Sequence, residues 1–348
     1  MWGEINSQFT IHNSQFIIQD SEFSIEMIER TVIIEQVDPQ TFYGVNSVNI
    51  SLLRNLFPKL RIAARGNVIK VIGEDSETAA FEKKVREIES HAVKYNKLTD
   101  EDIIDIVKGD APKAVAAEGV IIFGQNGKPI APRNHNQALM VKSFYENDLT
   151  FALGPAGTGK TYIAIALAVA ALKNRRCKRI LLSRPAVEAG EKLGFLPGDM
   201  KDKIDPYLRP LYDALEDMIP PLKLKEYMEN DTIQIAPLAF MRGRTLNDSI
   251  IILDEAQNTT KHQMKMFLTR LGLNAKMIVT GDTSQIDLPR SVQSGLLQAM
   301  RILRGVKGIG VIEYQKKDIV RHPLVQRIVD AYEKREEADN SELPDAAE

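Results

Sequence analysis

Apolar residues along this chain fall into two rhythms. From position 149 onward they come as short solid runs, at 149–153, 179–183, 232–236, 249–253, 276–280 and 309–313. Solid runs of this length read as strands covered on both faces, and the stretches between them are long enough for helices. Strand and helix in alternation predict an α/β fold, a parallel sheet flanked by helices, over 135–335. Before position 110 the pattern is sparser. Residues 47–56 predict a short helix, 60–64 and 68–72 a pair of strands joined near Gly66-Asn67, and 77–95 a helix with Phe81, Val85, Ile88 and Val93 at its apolar positions. Thr99-Asp100-Glu101-Asp102 has the form of a capped entry to a further helix at 103–107. These elements predict a small α+β unit over 27–110. Between the two units, 111–134 reads as a linker holding a hairpin, with Gln125-Asn126-Gly127 as its turn.

The two ends of the chain break from both rhythms. Asn6-Ser7-Gln8-Phe9, Asn13-Ser14-Gln15-Phe16 and Asp20-Ser21-Glu22-Phe23 recur every seven residues. Too few apolar positions repeat for a coiled coil, and no signal-peptide pattern is present. Residues 1–26 therefore read as a low-complexity extension, with Met27 as the candidate start, or as a short β-prone extension. Residues 336–348 read as a disordered acidic tail.

Composition narrows the function classes. The 348 residues are 44% apolar and 26% charged, an ordinary globular balance, and the net charge of −2 means any nucleic-acid contact must be a local patch. One cysteine, Cys177, excludes an internal disulfide and a Cys-rich zinc site and suits a reducing cytoplasm. Five scattered histidines make a His-based metal site a poor reading, and no apolar run reaches the length of a bilayer span.

The chemistry lies at the strand ends. Gly154-Pro155-Ala156-Gly157-Thr158-Gly159-Lys160-Thr161 fits G-x-x-x-x-G-K-[ST], after a predicted strand and before an Ala-rich apolar run that reads as a buried helix. Glycines at this spacing turn backbone N–H groups onto phosphate oxygens, and the helix N-terminus adds partial positive charge. Lys160 would reach the β- and γ-phosphates, and the Thr161 hydroxyl would bind Mg²⁺. The run 249–253 ends in Asp254-Glu255. Asp254 is placed to hold Mg²⁺ opposite Thr161, and Glu255 to take a proton from the attacking water. Such a pair favours hydrolysis over transfer to a second substrate. Thr280-Gly281-Asp282-Thr283-Ser284-Gln285 follows another strand, where Gln285 is a candidate sensor of the γ-phosphate. Gln137, about two dozen residues before the glycine loop, is a candidate adenine reader; a solvent-facing helix residue is the alternative.

Together these motifs resemble the PhoH-like ATPase family, relatives of the ATP-binding half of superfamily 1 helicases. The resemblance also rests on 183–198, Arg242-Gly243-Arg244-Thr245-Leu246, Asp254-Glu255-Ala256-Gln257-Asn258 and Gly281-Asp282-Thr283-Ser284-Gln285-Ile286-Asp287. It implies a RecA-like P-loop NTPase core with ATP and Mg²⁺, a KH-like N-terminal domain, adenine recognition by Gln137, and a cytoplasmic role in RNA metabolism. In some members that role is ribosomal RNA maturation beside an endoribonuclease.

The chain departs from a two-domain helicase, since only about sixty residues follow Gln285. An arginine finger would then come from a neighbouring subunit or a late local arginine, with Arg321, Arg242 and Arg244 as candidates. A homo-oligomer, by resemblance a hexamer, would supply it. No G-x-x-G clamp lies between Leu56 and Leu60, so the N-terminal unit reads equally as an RNA-binding or a docking module. Lys173, Arg175, Arg176, Lys178 and Arg179 read as a solvated helix end, and Arg184 and Lys192 as strand-backbone contacts. Tyr207 and Tyr212 could stack bases but read better as packing residues. Two other functions compete with an RNA-linked ATPase: an ATP-gated adaptor for a nuclease partner, and a P-loop phosphotransferase.

Overall fold

The computed structural model describes residues 15–16, 27–110, 119–185, 200–289 and 291–320, with 324, 325, 327, 328 and 331. The chain divides into two compact units. The first takes the described part of Met1–Ala131 with Val169–Arg176 and Tyr212–Ile233; the second takes Pro132–Ala168, Cys177–Leu211 and the described part of Gln234–Glu348.

The first unit opens with β1 (Gln15–Phe16), β2 (Met27–Ile33), α1 (Pro39–Tyr43), α2 (Val48–Leu56), β3 (Arg61–Arg65), β4 (Val68–Glu74), α3 (Asp75–Tyr95) and α4 (Asp100–Lys108). Its sheet is antiparallel in the order β1-β2-β4-β3. The strand pair, the long helix and the capped helix stand where the sequence predicts them. Thr99 and Asp102 form a reciprocal capping box at the start of α4.

The unit also holds two elements the pattern did not reveal, β2 and α1. The predicted extension is partly built in, because Gln15–Phe16 pairs with Met27 and Ile28. The turn between α1 and α2 is Gly44–Ser47, well before the stretch searched for a backbone clamp; Gly44, Asn46 and Ser47 all have positive φ there. Phe81, Val85 and Ile88 of α3 are fully buried against Val32, Ile62, Ile69 and Val71. Truncating a side chain so enclosed, as in Phe81→Ala, costs about 3–5 kcal/mol. Glu89, 3% exposed, is buried because it has work there: its Oε1 accepts the N–H groups of Glu35 and Gln36 at 2.7 and 2.8 Å, where the chain leaves β2.

The predicted hairpin forms as β5 (Ile122–Phe123) and β6 (Pro129–Ile130), turning through Asn126 and Gly127 at positive φ. It is integrated rather than slung as a linker. Asn96 Nδ2 donates to the carbonyl oxygens of Phe123 and Met218, and Gln125 N–H donates to the Asp217 carbonyl.

The second unit carries α5 (His135–Glu146), β7 (Leu149–Leu153), α6 (Lys160–Lys173), β8 (Arg179–Arg184), α7 (Met200–Glu216), β9 (Ile233–Pro237), β10 (Ser249–Leu253), α9 (Lys261–Leu268), β11 (Lys276–Gly281), α10 (Gly295–Leu303) and β12 (Ile309–Glu313), of which α6, α7 and β9 cross its boundary; between α7 and β9 the chain forms α8 (Pro221–Glu229), which lies in the first unit. The six strands run in the order β12-β7-β11-β10-β8-β9, with parallel pairing from β12 through β8. All five residues of β7 and of β10 are buried, which is why their sequences read as solid runs. Residues 163–171 of α6 are buried without exception, so that helix shows no polar face. The order puts β11 between β7 and β10, so three loops converge at one end of the sheet: those after β7, β10 and β11. No described helix is long and apolar enough to cross a membrane.

Candidate active site

The glycine loop joins β7 to α6 as predicted. Gly154, Gly157 and Gly159 have φ of 137°, 82° and 78°, values that side-chain-bearing residues rarely adopt. At Gly154 a Cβ would also lie 2.4 Å from the Tyr314 carbonyl oxygen, and at Gly159 one would lie 2.7 Å from Gln137 Nε2. The loop is tied down on every side. Gly154 N–H donates to the Gly281 carbonyl at 3.1 Å, and Val320 N–H to the Gly157 carbonyl at 2.9 Å. Thr158 Oγ1 donates to the Pro155 carbonyl at 2.9 Å. Lys160 is 8% exposed; its Nζ lies 2.6 and 2.7 Å from the carbonyl oxygens of Gly154 and Pro155 and 3.3 Å from Thr158 Oγ1. Its positive charge is thus folded over the cradle.

Gln137 sits on the first turn of α5, behind Asn134, whose Oδ1 accepts the Gln137 N–H. It is not solvent-facing: it is 3% exposed, its Oε1 accepts the Arg133 N–H at 2.7 Å, and its Nε2 donates to the Thr158 carbonyl at 2.9 Å. The side chain therefore braces the phosphate loop, a task its spacing did not disclose. Asp318 braces the same corner from later in the chain, accepting from Asn136 Nδ2 at 2.6 Å while its carbonyl accepts from Asn134 Nδ2.

Across the loop stand the two acids. Asp254 is 3% exposed, and its Oδ1 accepts hydrogen bonds from Thr161 Oγ1 and Thr280 Oγ1, both at 2.6 Å. Arg184 Nη2 lies 2.9 Å from Asp254 Oδ2 as an ion pair, but among the described residues no N–H is aligned on that oxygen, which is buried and lacks a hydrogen bond from them. A buried carboxylate oxygen lacking a donor, beside a threonine hydroxyl and a phosphate loop, fits the hard-oxygen set of a Mg²⁺ site. Glu255 has φ of 52°, a left-handed conformation that turns its side chain away from Asp254's path. Its Oε1 accepts from Arg184 Nη2 at 3.1 Å and its Oε2 from Gln257 Nε2 at 2.6 Å.

The third loop closes the ring. Asp282 Oδ2 accepts the Ala156 N–H of the phosphate loop at 2.9 Å, and its Oδ1 accepts from Ser284 N and Oγ. Gln257, 1% exposed, receives the Asp282 N–H on its Oε1 and donates to the Gln285 carbonyl. Gln285 itself is exposed. The sequence alone assigns no role to Asp282, Thr280 and Gln257; polar residues at or shortly after the end of a solid apolar strand are the signal that points to them. Of the finger candidates, Arg321 lies outside the described residues, as does Lys192. Arg242 is exposed, and Arg244 Nη2 is held by Gln234 at 2.9 Å.

A family model described as "PhoH-like protein" matches residues 129–333. A "PhoH-like protein" of Bacillus subtilis is 50% identical over 281 residues, covering 79% of this chain and 88% of that protein. One from Mycobacterium tuberculosis is 48% identical over 291 residues, covering 82% of each. "Protein PhoH" of Escherichia coli K12 is 38% identical over 278 residues, covering 79% of this chain and 76% of that protein. Among solved structures, the Pif1 helicase from Candida albicans aligns with a TM-score of 0.32 at 13% identity, covering 58% of this chain and 43% of that one.

Proposed function

The chain belongs to the family of PhoH-like proteins, and from that premise we propose that it binds ATP with Mg²⁺ and hydrolyses it in the service of RNA handling. The observation that carries the reading is the meeting of Thr161 and Asp254 at 2.6 Å under a glycine loop, with one Asp254 oxygen buried and lacking a hydrogen bond among the described residues. Thr161 and Asp254 are the residues that would hold the metal, which supplies positive charge to the β- and γ-phosphates. The backbone N–H groups of 157–161 bind the phosphate oxygens, and Lys160 leaves its carbonyl oxygens to neutralise the terminal phosphate. Glu255 takes the proton of a water that attacks the γ-phosphorus as the bond to the bridging oxygen breaks. Gln285, on the exposed loop after β11, meets the terminal phosphate. Gln137 spends one of its two N–H groups on the Thr158 carbonyl of the loop and one of its two oxygen lone pairs on the Arg133 N–H, so each end keeps one for adenine.

RNA as the coupled partner, a homo-oligomer supplying the missing arginine, hexameric in size, and an endoribonuclease neighbour follow from the family resemblance. A cytoplasmic location agrees with the single cysteine, buried and with its thiol pushed up to about 11 by that burial. Phosphate release should require Mg²⁺, rise with single-stranded RNA, and fall at least about 100-fold in Glu255→Gln, with nucleotide binding retained. A Glu255→Gln protein that hydrolyses ATP at the normal rate would end the assignment of the base.

A further inference from the structure

Arg184 ends β8, the strand beside the acid-bearing β10, and the Ser183 carbonyl accepts the Asp254 N–H at 2.9 Å. Its side chain is 17% exposed. Nη1 donates to the Tyr207 carbonyl of α7 at 2.6 Å, and Nη2 lies 2.9 Å from Asp254 Oδ2 and 3.1 Å from Glu255 Oε1. One positive charge thus stands between the residue suited to the metal and the residue suited to the water. With Gln257 on Oε2, both oxygens of Glu255 are engaged.

Two features mark this pose as a resting one. Arg184 Nε is buried and has no hydrogen-bond partner among the described residues, so the guanidinium leaves a donor unmet. Glu255, by contrast, is 41% exposed and is held by side chains rather than by packing, so moving one group frees it. A divalent cation at Asp254 would also repel a guanidinium 2.9 Å from the same carboxylate. An open cleft of about 490 Å³, lined by Arg184, Pro185, Tyr207, Gln285 and Ile286 among others, gives the side chain somewhere to go.

We propose that Arg184 is an anion-released lock: it restrains Glu255 while the site rests and lets go when a phosphate oxygen in the adjoining cleft takes its guanidinium. The proposal rests on the hydrolysis reading above. A guanidinium offers phosphate the same two-pronged fit that it offers a carboxylate, and a phosphate reaching Nε and Nη2 together would satisfy the unmet donor. That chemistry has two sources, the terminal phosphate of the nucleotide and the phosphodiester backbone of a single strand. Arg184 is a positioning residue in this scheme, affecting the rate through the freedom of Glu255.

The test measures steady-state phosphate release by wild type, Arg184→Ala and Arg184→Lys, with Mg-ATP alone and with single-stranded polyuridylate added. Binding of fluorescent ATP and ADP analogues is titrated in parallel, without turnover, and thermal melting checks that each variant is folded. If a strand phosphate is the key, Arg184→Ala should turn over about tenfold faster than wild type without polymer at unchanged KM, the effect of removing a ~1.4 kcal/mol restraint. Arg184→Lys, too short and single-pronged to bridge Tyr207 and Glu255, should fall between them. If a strand phosphate is the key, polymer brings wild type up to the Arg184→Ala rate and leaves that variant unmoved. If the nucleotide's own phosphate is the key, bound ATP has already released wild type, so the two turn over alike with or without polymer, and the preference for the ATP analogue over the ADP analogue shrinks in Arg184→Ala. A folded Arg184→Ala that is slower than wild type, or no faster while its preference for the ATP analogue is unchanged, overturns the lock. A wild type as silent as Lys160→Ala under every condition removes the hydrolysis reading, and the lock with it.

Discussion

Two lysines bracket α6, and the molecule treats them in opposite ways. Lys160, at the N-terminal end, buries its ammonium among three oxygen atoms between 2.6 and 3.3 Å away. Lys173, at the C-terminal end, buries its Nζ with no hydrogen-bond partner among the described residues. Burial alone therefore does not mark a functional charge. A buried cation that is surrounded by acceptors it can exchange for phosphate oxygens is machinery. One that has none is a standing cost, offset in part by its place at a helix C-terminus, where a positive charge is favoured.

The sharpest way to break this comparison is to remove the supported lysine. Lys160→Ala should lower ATP affinity by at least about 100-fold and take hydrolysis below detection, because the charge facing the β- and γ-phosphates is lost from a site with little water. Isothermal titration with ATP and Mg²⁺ checks it. Binding within threefold of wild type would mean that Lys160 serves the loop's shape rather than the phosphates.

A milder change at the same end tests whether acceptors around the loop matter as much as its charge. Asp282 anchors the loop by accepting the Ala156 N–H, and it is 5% exposed. Hydrogen bonds to a charged acceptor contribute about 1.5–3 kcal/mol, so Asp282→Ala should weaken ATP binding roughly tenfold by loosening the cradle before the nucleotide arrives. Tighter binding in that variant would show instead that the carboxylate competes with phosphate for the same N–H.

The two ends of α6 were also unequally legible. All six strands of the second unit lie within about a residue of their predicted positions, because strands covered on both faces must be apolar throughout. Spacing alone places Lys160, Thr161, Asp254 and Glu255 at strand ends, and the fold brings them together there. What stays hidden depends on contacts distant in sequence. Spacing offers Gln137 as a base contact; the fold makes it a brace on Thr158, 21 residues away. Arg184 was read as a strand-backbone contact and rests on Glu255, 71 residues away. In the first unit β2 was missed because only alternate residues, Ile28 and Val32 with Ile34 beyond the strand, face the core, while charged Glu29 and Arg30 interrupt the run. The sequence reads Lys173 with Arg175, Arg176, Lys178 and Arg179 as a solvated helix end. Those four lie beyond the end of α6 and are exposed; Lys173 closes the helix and is not, a difference composition cannot see.

That lysine gives the cleanest sign. Burial pulls the Lys173 ammonium down from near 10.5 to about 8. Below pH 8 the group is charged in both folded and unfolded chains, and the folded chain carries the full desolvation cost. Between about 8 and 10.5 the unfolded chain binds more protons than the folded one, so this group's contribution raises stability as pH rises. Lys173→Met keeps the length and volume and removes the charge. It should stabilise the protein by about 2 kcal/mol at pH 7, the desolvation gain outweighing the few tenths lost from the helix dipole. The advantage over wild type should shrink through that window and vanish near pH 10.5. Urea unfolding of both proteins at pH 7, 8.5 and 10 reads it directly. A variant less stable than wild type at pH 7 would mean that the buried ammonium has found an acceptor after all, and that the two ends of α6 are more alike than their hydrogen bonds indicate.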